Sequence, residues 1–252
     1  KKKTVKYSLN KKKINCVFNL KMYTESHKIF LQAIMQEGIL HDEDSKELII
    51  TLFDNKQVKN IIYEINAKLQ SLNMMIKTVT CEITGDTYWA ITSTILQDIS
   101  SFQIQFSKVK LELLRKIFSE IITATNGCVS STICLNLCTS LDTKLSKIDA
   151  TEFLDYIVDK KWLLLKNGQY YIGVRSIAEL MPYFKATYDN SLHTCNLCKE
   201  VIFFGQRCTH CEAMMHITCL KKYAEVMHPL QCATCKSCIE VDVIGIYLLD
   251  LH

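Results

Sequence analysis

Residues 195–235 read CNLCKEVIFFGQRCTHCEAMMHITCLKKYAEVMHPLQCATC, and this stretch decides the fold of the C-terminal quarter. It holds four pairs of metal-type side chains: Cys195 and Cys198, Cys208 and Cys211, His216 and Cys219, Cys232 and Cys235. Two residues separate the members of each pair, and the pairs are spaced by nine, four and twelve residues. A two-residue gap lets one tight turn aim both side chains at a single zinc ion, about 2.3 Å from each sulfur. The four-residue gap between Cys211 and His216 suits neighbouring pairs that point in opposite directions. The spacing therefore predicts cross-bracing of two zinc ions. Cys195, Cys198, His216 and Cys219 would hold the first, and Cys208, Cys211, Cys232 and Cys235 the second. Structural zinc contributes roughly 10–16 kcal/mol in finger peptides, so losing either ion should unfold the module.

Other readings of these residues are weaker. Lysines open the chain with no apolar stretch behind them, so no secretory leader is expected. A reducing compartment, and the histidine within the series, favour metal over disulfides. A catalytic zinc needs an open coordination position, and eight ligands on two ions leave none. His210 reads as a surface residue and Cys238 as a spare thiol. Cys134 and Cys138, four apart on an expected helix, read as small core residues. His27 and His41 have no ligand-spaced company, and Trp89 and Trp162 read as core.

The 252-residue chain is 48% hydrophobic with two prolines and seven glycines, a composition suited to packed helices joined by short loops. No run of apolar residues is long enough to span a membrane. Seven lysines and no acid lie in Lys1–Lys13, so the net charge of +4 is concentrated there. That segment reads as a solvated arm, with nuclear targeting or nucleic-acid contact as the alternative.

Upstream of the cysteines an order of elements repeats. Helices are expected over Glu25–Leu40, Ser45–Phe53 and Asn55–Leu72, followed by a hairpin of Met74–Cys81 and Tyr88–Thr94 around Thr84-Gly85-Asp86. Helices over Leu111–Ala124, Ser130–Cys138 and Asp149–Lys161 then precede a hairpin of Trp162–Leu165 and Tyr170–Ile172 around Asn167-Gly168. Three helices and a hairpin form the order of a winged-helix domain. The fold class expected is α+β, mostly helical: two tandem winged-helix domains followed by a cross-braced RING-like zinc module. The divisions are 1–21 (basic arm), 22–106, 107–190, 191–238 (zinc module) and 239–252 (tail). The tail includes an apolar stretch, Val241–Leu249, to which no role is assigned. The third helix of the second unit carries Asp149, Glu152, Asp155 and Asp159, and acids there oppose phosphate contact. A protein-binding role is expected for both units, with any DNA contact made indirectly through partners.

The motifs "DKKWLLLKNGQYYIG" (Asp159–Gly173) and "CNLC…GQRCTHCEAMMHITCLKKY" (Cys195–Tyr223) carry a resemblance over roughly residues 22–236. The chain resembles the non-SMC element one subunit of the SMC five–six chromosome-maintenance complex. The resemblance implies a nuclear protein of DNA repair and recombination. Its winged helices would dock a MAGE-domain subunit, with a kleisin subunit alongside. It also implies a RING-type ubiquitin transferase that supplies no nucleophile, but binds a ubiquitin-conjugating enzyme and orients its loaded ubiquitin. Leu197 and Tyr223 are the expected apolar contacts to that enzyme. Ala233 stands where RING ligases usually have proline, and Lys236 where many have arginine, whose planar fork lysine lacks. A non-catalytic adaptor is the alternative function. A histone-tail reader shares the ligand order but usually has tryptophan where Leu230 stands, and the zinc segment has none to build a cage.

Overall fold

The computed structural model describes residues 23–53, 57–95 and 106–239. The lysine-rich arm, the Val241–Leu249 tail and the expected helix start at Asn55 lie outside the described residues.

Helix α1 (Glu25–Glu37) opens the first unit, with Thr24 before it. His27 closes this start: its Nδ1 accepts from the Thr24 N–H at 3.0 Å, and its Nε2 meets Glu64 Oε2 at 2.9 Å. His27 is buried and serves helix capping. The helix ends three residues before the expected Leu40. Gly38 takes φ 79°, its N–H bonds the Ile34 carbonyl, and the chain turns into strand β1 (Ile39–His41). Helix α2 (Asp42–Phe53) begins with three acids, which favour its N-terminus. Helix α3 (Val58–Leu69) places Ile61, Ile62, Ile65 and Leu69 inward, and a single 3₁₀ turn, Gln70–Leu72, ends the expected run. Strands β2 (Met74–Thr80) and β3 (Thr87–Ser93) form the hairpin, and β1 joins its other edge in the order β1-β3-β2. The Asn66 amide donates to and accepts from the Ile76 backbone, fixing α3 to β2.

The second unit repeats this course. Helix α4 (Lys108–Thr123), strand β4 (Val129–Ser130), helix α5 (Ser131–Asn136) and helix α6 (Lys147–Asp159) precede hairpin β5 (Leu163–Lys166) and β6 (Gln169–Ile172). The sheet order is β4-β6-β5, matching that of the first unit. Ser130 and Ser146 accept N–H bonds at the starts of α5 and α6. Cys134, Cys138 and Trp162 lie in the core with Phe118, Phe153 and Phe184, as expected from sequence. Trp89 is buried in the first core.

The sequence reading lacked β1, β4 and two helices, α7 (Val174–Glu179) and α8 (Met181–Tyr188). Val174 and Ala178 of α7 pack with Ile39, Cys81 and Ala90 of the first unit, so a segment after the second hairpin joins the units. Among the described residues no helix is long and apolar enough to cross a membrane.

Candidate metal centre

The zinc-type segment is built from short pieces. Strand β7 (His193–Thr194) pairs with β8 (Val201–Ile202), β9 (Gln206–Arg207) pairs with β10 (Met214–Met215), and helix α9 (Ile217–Ala224) follows His216. Gly205 lets these strands meet, since a Cβ there would stand 2.3 Å from the Met215 carbonyl oxygen.

Three cysteine pairs share one backbone turn. The N–H groups of Lys199, Glu212 and Lys236 bond the carbonyls of Cys195, Cys208 and Cys232 at 2.8, 2.9 and 3.0 Å. Cys195, Cys208 and Cys232 in turn donate to Glu200, Ala213 and Ser237 at 2.8, 2.9 and 2.8 Å. The turn places Lys199, Glu212 and Lys236 at left-handed φ values of 66°, 57° and 64°, a region unfavourable for residues with a Cβ. The fourth pair differs: His216 precedes α9, and Cys219 lies in its first turn.

The folded chain brings together the two expected quartets. One potential ligand atom from each of Cys195, Cys198, His216 and Cys219 lies within 4.8 Å of the others, and the same holds for Cys208, Cys211, Cys232 and Cys235. Cys208 and Cys235 Sγ stand 3.7 Å apart, and Cys211 and Cys232 Sγ 3.6 Å. These lengths are far from a disulfide bond of about 2.04 Å. A tetrahedron with metal–sulfur distances of about 2.3 Å has edges of about 3.8 Å, so the second quartet has the dimensions of a zinc site. In the first, His216 Nδ1 lies 3.3 Å from Cys198 Sγ and 3.8 Å from Cys219 Sγ. Each quartet can hold one zinc ion, and none of the four corners is left open for substrate.

Local electrostatics also suit a cation. Burial disfavours the Cys195 thiolate, but N–H groups of Cys198, His216 and Leu197 outweigh it and lower its pKa to about 7. Cys235 is lowered to about 6, chiefly by bonds from Ser237. Cys219 is pushed up to about 12 by burial and by its neighbours Cys195 and Cys198. Thiolates crowded this closely repel one another, and a zinc ion supplies the compensating charge. His210 and Cys238 are exposed and belong to neither quartet.

Leu197 and Tyr223 are half-buried against the module's core of Ile202, Met214, Met215 and Leu220. Lys236 is exposed and folds back, its Nζ donating to the Ala233 carbonyl at 3.2 Å.

Sequence reading missed the residues that seat this module. Phe203 enters the second unit's core, its ring 5.1 Å from that of Phe184, and Phe204 meets Tyr171 at 5.3 Å. Two adjacent phenylalanines in so small a zinc segment were the available signal. Glu82, in the first hairpin's loop, bonds His216 and the Phe203–Phe204 backbone. Burial disfavours a charged His216 ring, but Glu82 and the nearby sulfurs raise its pKa to about 9, and a zinc ion at Nδ1 would displace the proton from that nitrogen.

Repeated helix–hairpin units carrying a two-site, cross-braced RING-like module define the class of protein. The description "RING-like domain" matches residues 195–238, and "Nse1 non-SMC component of SMC5-6 complex" matches residues 27–136. The "Non-structural maintenance of chromosomes element 1 homolog" of Xenopus laevis is 32% identical, over 86% of this chain and 82% of its own. That of Homo sapiens is 32% identical over 84% and 83%. A solved structure described as "Nse1-Nse3-Nse4 complex" aligns with a TM-score of 0.76 at 31% identity, covering 86% of this chain and 97% of the other. The chain belongs to the Nse1 family of non-SMC components of the SMC5-6 complex.

Proposed function

We propose that this protein is a RING-type ubiquitin ligase subunit of the SMC5-6 complex, acting in the nucleus in DNA repair and recombination. The observation that carries the reading is the pair of closed quartets. With no open coordination position, their chemical role is to hold a surface in shape, which is how a RING module positions a conjugating enzyme. Leu197 and Tyr223 are its apolar contacts. The two upstream units are winged helices, a reading supported by their shared element order and shared sheet order. They dock a MAGE-domain subunit with a kleisin subunit alongside, a pairing suggested by the likeness to a chain of an Nse1-Nse3-Nse4 complex. Helix α6 exposes Asp149, Glu152, Asp155 and Asp159, which favours protein over DNA on that face.

The test is reconstitution of the protein with the MAGE-domain subunit, ubiquitin, its activating enzyme, a panel of conjugating enzymes and ATP. Ubiquitin chains are expected, fewer without the partner and fewer with Leu197→Ala. Inactivity across the panel with the partner present would sink the ligase reading.

One observation favours a second reading, a non-catalytic adaptor. Lys236 is tied to the Ala233 carbonyl rather than extended from the surface. On that reading Leu197→Ala leaves repair intact in cells, whereas Cys208→Ala abolishes assembly of the complex.

A further inference from the structure

We propose that Glu82 is a positioning residue that couples the first zinc site to the seating of the whole zinc module on the two upstream units. It lies 134 residues before His216, in the loop between β2 and β3, and its side chain is only 7% exposed. Three N–H groups converge on its two oxygens. Oε2 accepts from Phe204 at 2.7 Å and Phe203 at 3.1 Å. Oε1 faces His216 Nε2 at 3.1 Å. With the His216 proton on Nε2, an ionised carboxylate, which is purely an acceptor, can satisfy all three donors.

The two arms of this contact have different consequences. The first acts on the metal. The other ring nitrogen of His216, Nδ1, faces Cys198 and Cys219, and a histidine ligand must present a lone pair there. By accepting from Nε2, Glu82 keeps the ring proton away from Nδ1 and fixes the ring's tilt. A carboxylate behind a metal-binding histidine acts in this way.

The second arm acts on the docking. The Phe203–Phe204 backbone is held from the opposite side by the second unit, where Phe203 sits against Phe184 and Phe204 against Tyr171. Glu82 therefore joins all three parts of the molecule at one carboxylate: the first hairpin, the peptide inserted into the second unit, and a zinc ligand. Zinc capture at the first site and fixing of the module's orientation become one linked event. None of this depends on whether the module is an active ligase.

The substitution Glu82→Gln separates this role from packing, because it preserves shape. The amide oxygen can still accept from Phe203 and Phe204, but its NH2 then faces the Nε2–H of His216. Donor meets donor, and the clash is relieved by moving the ring proton to Nδ1, the ligand atom. Full-length protein would be loaded with cobalt(II) and titrated with zinc and a chelator. Cobalt absorption distinguishes a site of three cysteines and one histidine from a site of four cysteines. First-site affinity is expected to fall about 10- to 100-fold, with the second site unchanged. In a His216→Cys background both sites are four-cysteine and a thiolate needs no tautomer, so adding Glu82→Gln should leave the whole two-ion titration nearly unchanged. Glu82→Ala, measured by hydrogen exchange with both sites kept saturated, should expose the Phe203 and Phe204 amides. Equal effects of Glu82→Gln on both sites, no effect on either, or an undiminished effect in the His216→Cys background would overturn the metal arm. Unchanged exchange at residues 203–204 in Glu82→Ala would overturn the docking arm.

Discussion

Gly127 approaches Phe203 so closely that a Cβ on the glycine would stand 2.1 Å from the Phe203 carbonyl oxygen. The glycine has φ 63°, and it follows α4, so the second unit's first helix ends against the zinc module's backbone. Neither atom in this contact belongs to a flexible side chain, so neither can swing aside. Gly127→Ala therefore meets a left-handed backbone strain of about 1–2 kcal/mol in addition to the clash. The expected result is a loss of at least about 2 kcal/mol in denaturant unfolding, with faster hydrogen exchange in residues 201–204. A stability equal to that of the parent would contradict the contact.

A second close approach joins the two upstream units. The Arg175 guanidinium lies 4.4 Å from the centre of the Trp162 ring, and its Nε donates to Glu179 at 2.7 Å. A Cβ at Gly38 would stand 2.3 Å from Arg175 Cζ. Gly38→Ala should displace the guanidinium from Trp162 as well as strain a backbone at φ 79°, at a cost of about 1–3 kcal/mol. Adding Arg175→Ala removes the obstacle, so the double variant should lose less than the sum of the two single losses. Strict additivity in thermal or chemical unfolding would mean that the two positions do not meet.

Asp42 provides a pH-dependent test of the first unit. It accepts from Trp89 Nε1 at 2.7 Å and pairs with Lys46 at 2.6 Å. Burial opposes its charge, but the bonds from Lys46 and Trp89 and the charges of Lys46 and His41 hold its carboxyl below the usual value. A carboxyl depressed in the folded state stabilises the fold above its unfolded pKa of about 3.9. That contribution disappears as pH falls through the folded value. Because Lys46 is largely exposed, Asp42→Asn should cost only about 1 kcal/mol at neutral pH. The gap from the parent should close below about pH 4, and a gap that widened on acidification would contradict a depressed carboxyl at Asp42.

These contacts mark where sequence reading stops. The ligand quartets were legible because metal chemistry dictates residue type and spacing together, so Cys195 and His216 declare their partnership across the intervening chain. The helices were legible from the periodic apolar positions of α3 and α6. Strand β1 was not, because Ile39 and Leu40 follow α1 as further apolar residues, and the backbone turn at Gly38 redirects them. Helix α7 is six residues long, too short for a period to show. Glu82 is an acid beside a turn, and nothing local distinguishes it from a solvated one. Its role exists only once 134 residues of chain have folded back upon it.

Lys236 tests the surface that the zinc sites shape. It follows the last ligand, at φ 64°, and its ammonium donates to the Ala233 carbonyl three residues earlier. A lysine in that bond offers one point charge, already engaged, to any protein that docks beside it. Arginine at the same position has five donors in a planar fork, so it can keep the carbonyl bond and still present a free edge. Because Lys236 is exposed, Lys236→Arg should leave stability within about 0.5 kcal/mol of the parent and both zinc sites intact. If the module orients a loaded conjugating enzyme, chain formation in the reconstituted system should rise severalfold. Leu197→Ala should erase that gain, because it removes the enzyme contact on which orientation depends. A Lys236→Arg protein that binds two zinc ions, assembles normally and transfers no more ubiquitin than the parent would favour the adaptor reading.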